Sequence, residues 1–171
     1  SGSTMAGECE DNFSKSGGMF KGSNFSSSVT VPNLSVKDGM GQMRGIMIRE
    51  KMDVLTEDAD SGTLLVEQRA TGATRAIPTI ISISSEGSSA KVEMTVKTEK
   101  GVIAKAENIQ PYMCKLLAQV KGGKEGKLAG SKGSKTQNNA DTTSRDVFLF
   151  SRQIADEARK QGIPFAGHVP D

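Results

Sequence analysis

Two cysteines, Cys9 and Cys114, and one histidine, His168, are the whole supply of thiolate and imidazole groups in this chain of 171 residues. A structural zinc site takes four such ligands, and a nucleophilic triad needs a base that a third group orients, so neither can be assembled from this set. Glu57, Asp58 and Asp60 with Gly62 have the composition of a calcium loop. Their spacing is wrong, because such a loop places its glycine sixth and here, counted from Asp58, it comes fifth. These carboxylates read as a solvated turn, with nothing nearby to raise a pKa for acid–base work. No catalytic residue, metal or cofactor is expected, and the chain reads as a non-enzyme.

The cysteines leave more open. Cys9 and Cys114 are able to close a disulfide, which in an oxidising compartment stabilises a fold; Cys9 also reads as an inert thiol on a polar leader. Lysine is the other pattern. Lys121, Lys124, Lys127, Lys132 and Lys135 face only Glu125 and Asp141 within residues 121–144, a local basic excess in a chain whose net charge is +2. The segment lacks the Gly-Lys-Ser/Thr ending of a phosphate loop, and no aromatics interleave to stack bases. It reads as a solubilising linker that is also the candidate contact for an anionic partner by counterion release; nucleic acid is disfavoured. Sequons at Asn12, Asn24 and Asn33 read as chance in serine-rich sequence.

The elements that position these groups follow from periodicity. Residues 1–27 are rich in Ser and Gly and read as a flexible leader, beginning with "SGSTM", which resembles a cloning scar. "SSSVTVP" reads as a strand ending at Pro32. Ser35 then caps a helix, with Asp38 as its capping-box partner and Val36, Met40, Met43 and Met47 as one apolar stripe. Gly39, Gly41 and Gly45 weaken that helix or let it lie close to a sheet.

From Lys51 the period becomes two. "KMDVLTED" and "GTLLVEQ" form a hairpin about Ala59–Ser61; Ile77, Thr79, Ile81 and Ile83 share one strand face; Val92, Met94 and Val96 alternate with Lys91, Glu93, Thr95 and Lys97. Asn108 reads as the cap of a second helix with Ile109, Met113, Leu116 and Val120 inward and Pro111 in its first turn. A third helix over 145–162 carries Val147, Phe150, Ile154 and Ala158, an apolar face for the core or a partner. The domain expectation is a leader at 1–27, a core at 28–120, a linker at 121–144, the C-terminal helix and a tail at 163–171.

Hydrophobic residues make up only 35% of the chain, with six Phe, one Tyr and eight Met, so the core is expected to be small and Met-rich. The fold class is α+β: an antiparallel sheet of about four to six strands with helices on one face, plus a C-terminal helix after a flexible linker.

From Cys9 to Val120 the arrangement resembles small periplasmic lipoproteins of Gram-negative bacteria. "AGEC" is similar to the lipobox before a lipidated cysteine, with Glu8 where that box has a small residue. The polar leader, the strand, the helix from a capping serine and the hairpin of "EDADSGTLLVEQ" are similar in outline to the helix-grip domains of lipoproteins in the outer-membrane β-barrel assembly machinery. The resemblance implies a lipid on Cys9, a periplasmic or outer-membrane location, and a non-enzymatic accessory or scaffold role with another envelope protein or a second copy as partner. The alternative is a soluble, cytoplasmic binder of nucleic acid or another anionic partner through the lysines of 121–135.

Overall fold

The computed structural model describes residues 3–18, 20–68, 76–102 and 104–135. Ten elements follow in order: α1 (Ser3–Asn12), β1 (Ser14–Gly18), β2 (Gly22–Pro32), α2 (Val36–Arg49), β3 (Met52–Asp58), β4 (Thr63–Gln68), β5 (Ile77–Glu86), β6 (Ser89–Thr98), α3 (Ala106–Leu117) and α4 (Gly123–Lys135). The protein is α+β. Six antiparallel strands form one sheet in the order β1-β2-β6-β5-β4-β3, with helices packed against it.

Consecutive hairpins explain the run β3 to β6; β2 then adds beside β6, and α2 crosses from β2 to the far edge where β3 begins. Side-chain alternation sends Phe25, Val29, Val31, Leu64, Val66, Ile81, Ile83, Val92, Met94 and Val96 to one face, all buried. Met40, Met43, Ile46 and Met47 of α2 and Met113, Leu116 and Leu117 of α3 cover that face. Six of the eight methionines are in this core, filling a space that few aromatics are available to fill. Ser35 caps α2 as expected, its Oγ accepting from the Asp38 N–H at 3.1 Å.

Three expectations are corrected. The leader at 1–27 is not a loose segment: residues 3–12 form α1, 14–18 form β1, and β2 starts at Gly22. Residues 123–135 of the expected linker form α4, which lies along α2, while 136–144 are outside the described residues. Asn108 does not cap α3. Lys105 occupies the cap position without a side-chain cap bond, and Pro111 falls inside the helix rather than in its first turn. Helix 145–162 with Val147, Phe150, Ile154 and Ala158, the tail 163–171 and His168 also lie outside the described residues.

The α4 contact explains why a glycine-rich sequence forms a helix there. Gly126, Gly130 and Gly133 recur on one face and are its buried residues. Gly130 and Gly133 meet Gly41 and Gly45 of α2, Gly126 lies against the Lys121 carbonyl and the Gln42 side chain, and a Cβ on Gly41 or Gly133 would collide with the backbone opposite. Two helices approach this closely only where neither has a side chain between them. Gly39 instead faces the sheet, against the Ile83 side chain. Gln42 locks the junction: its Nε2 donates to the Lys121 carbonyl at 2.8 Å and the Gly126 carbonyl at 3.2 Å, and its Oε1 accepts from the Lys121 N–H at 2.8 Å.

Candidate functional site

Cys9 and Cys114 are joined by a disulfide, with Cα atoms 5.6 Å apart across a sequence separation of 105. Of the readings of Cys9, the structure takes this one. Its sulfur is in the bond and the residue is buried in the core, so neither an inert leader thiol nor a lipid thioether describes this state. The bond joins α1 to α3. Around it, the Ser27 hydroxyl donates to the Cys9 carbonyl, Asn12 Nδ2 donates to the Ser28 carbonyl at 3.0 Å, and the Thr30 N–H donates to the Glu8 carboxylate at 2.7 Å. A glycan on Asn12 would break its bond to Ser28, which argues against that sequon in this conformation. Glu8, the departure from the lipobox pattern, thus has a structural partner.

The β1–β2 hairpin follows directly. Its base is held by Phe13 stacked on Phe25, ring centroids 6.3 Å apart, with the Lys15 ammonium 5.5 Å from the Phe25 ring centre. At its tip Phe20 is 86% exposed. Displaying a large aromatic there runs against the hydrophobic drive that buried Phe25, and it is a feature the sequence reading absorbed into the leader.

The lysines are brought together in part. On α4 the direction opposite the glycine seam carries Lys124, Leu128, Ser131 and Lys135, one stripe at helical spacing, with Lys127 and Lys132 to either side. Leu128 is 66% exposed within this basic surface. Lys121 precedes the helix and is exposed. Glu125 is the acidic residue of the helix.

The acidic turn is local scaffolding. Asp58 Oδ1 accepts from the N–H groups of Asp60 and Ser61 at 3.1 and 3.2 Å, and Glu57 pairs with Arg44 of α2 at 3.6 Å. A different carboxylate is perturbed. Glu67 of β4 is buried directly across from Asp53 of β3, and loss of water, reinforced by the Asp53 charge, raises its pKa to about 7. "GTLLVEQ" shows this group as an ordinary polar position; its surroundings are the only signal, and they are tertiary. Burial together with a hydrogen bond to Glu50 raises the Tyr112 hydroxyl to about 12, tying α3 to the end of α2.

No helix among the described residues is long and apolar enough to cross a membrane. No protein-family model matches the chain. No curated protein matches it. Among solved structures it is similar to CalU16 from Micromonospora echinospora, with 9% identity over 72% of this chain and 92% of that one and a TM-score of 0.40.

Proposed function

We propose that the protein is a non-enzymatic accessory or scaffold domain of the cell envelope, acting by contact with another protein at the β1–β2 hairpin. The observation that carries this reading is Phe20. Of the described phenylalanines, Phe13 and Phe25 pack into the fold while Phe20 stands 86% exposed at the tip of an anchored hairpin. Interfaces draw most of their energy from a few such anchors. The Cys9–Cys114 bond supports an oxidising, extracytoplasmic setting, because thiols in the cytosol are kept reduced.

The test is a photo-crosslinking residue placed at position 20 in the native source, with Gly87 in the β5–β6 turn as control. One discrete adduct from position 20, absent from 87, is expected, and Phe20→Ala should weaken binding of that partner by at least about tenfold. Equal labelling at both positions contradicts the reading.

A second reading has its own observation, the basic stripe of α4 around Leu128. It is an anionic contact whose affinity falls steeply with salt and is lost when Lys124, Lys127 and Lys135 are changed to Ala. Affinity independent of salt excludes it.

A further inference from the structure

A surface helix ordinarily turns its large apolar residues to the core and its polar ones to water. Helix α4 does the reverse. Its buried residues are Gly126, Gly130 and Gly133, while Leu128, its one large apolar side chain, is on the opposite side and 66% exposed. That orientation is fixed from behind. A Cβ on Gly130 or Gly133 would collide with the α2 backbone, and Gln42 holds the start of the helix through the Lys121 and Gly126 carbonyls. Rolling α4 to bury Leu128 would bring a side chain into a seam that admits none.

Around Leu128 the surface is basic. Lys124 lies one turn before it and Lys135 two turns after it on the same stripe, with Lys127 to one side, and all three are exposed, as is Lys121 ahead of the helix. Glu125 lies off the stripe, on the side of Lys132. An apolar side chain set among lysines selects between anionic partners. The phosphates of a nucleic acid would take up the lysines and leave the leucine in water, and no aromatic of α4 is there to stack a base. An anionic bilayer takes both: headgroup phosphates accept from the ammonium groups, whose apolar stems flank a side chain at the acyl boundary. Lysine, a point charge without the planar fork of arginine, suits a field of headgroups rather than one ligand geometry.

We propose that the outer face of α4, with Leu128 among Lys124, Lys127 and Lys135, is a docking site for an anionic lipid surface. The helix lies in the plane of the headgroups and Leu128 inserts between them. The inference rests on the reading of this face as an anionic contact and names its partner. One leucine and a few charges make the attachment peripheral and reversible, and salt weakens it by screening the surface potential.

The test uses the full, disulfide-bonded chain carrying Leu128→Trp. The chain has no tryptophan of its own, so position 128 reports alone. Vesicles of phosphatidylcholine with about 30% phosphatidylglycerol are expected to shift its emission to the blue, and vesicles of phosphatidylcholine to leave it unchanged. Ser88→Trp, in the exposed turn between β5 and β6, is expected to keep its emission with both. In co-sedimentation with the anionic vesicles, Leu128→Ala is expected to weaken association at least about fivefold. Changing Lys124, Lys127 and Lys135 together to Ala is expected to weaken it about 100-fold. None of these changes touches the glycine seam. No blue shift at position 128, equal association with both kinds of vesicle, or no effect of Leu128→Ala overturns the inference. A DNA oligonucleotide separates it from the reading beneath it: salt-sensitive binding to DNA through the same lysines, with no association with vesicles, rejects the lipid surface and keeps the anionic contact. Binding to neither rejects both.

Discussion

At the residue scale, the chemistry lies in side chains whose surroundings, not whose type, set their behaviour. Glu67 ionises near neutrality because it is buried across from Asp53. Its pKa in the unfolded chain is about 4.5, so between that value and about 7 the folded protein holds a proton that the unfolded chain releases. Stability contributed by this group is full below the window and falls as pH rises through it. Glu67→Gln is expected to raise stability at pH 8 by about 1 to 3 kcal/mol and to leave it nearly unchanged at pH 4, measured by urea unfolding at both values. Gln42 is the opposite case, a buried amide with its bonds to backbone satisfied. Truncation to Ala orphans the Lys121 N–H and is expected to cost about 1 to 3 kcal/mol in the same assay.

At the scale of elements, one helix and one strand show where periodicity is a sufficient guide. Helix α2 was legible because a capping serine precedes methionines that recur on one face, and β6 because apolar and charged residues alternate along it. Helices α1 and α4 were not, and for physical reasons. α4 packs through Gly126, Gly130 and Gly133, so the residues that contact α2 are those that composition counts as linker. α1 is fixed by a bond to a residue 105 positions away, a contact to which no local pattern points. Gly130→Val is expected to expel α4, removing hydrogen-exchange protection over 123–135 and costing about 1 to 3 kcal/mol while the sheet amides stay protected. Protection retained over α4 would show that the glycine seam does not hold it.

At the scale of the molecule, the sheet and the Met-rich core were legible as an α+β class, whereas the surface proposed for partner contact was not. Phe20 and Glu8 lie in sequence that reads as leader, and only the pairing of β1 with β2 and the hydrogen bond from Thr30 to α1 give them a place. The disulfide binds that terminal region to the core. Changing both cysteines to Ser is expected to lower stability by about 4 to 5 kcal/mol on the chain-entropy argument, seen as a lower thermal midpoint for the variant than for the oxidised protein.

The most direct measurement of the account is the state of Cys9 in protein from its native source, alkylated without reductant and mapped by mass. A peptide containing Cys9 linked to one containing Cys114, with neither alkylated, is the expected result for an oxidised contact domain. Two alkylated thiols, or acyl chains on Cys9, would contradict it.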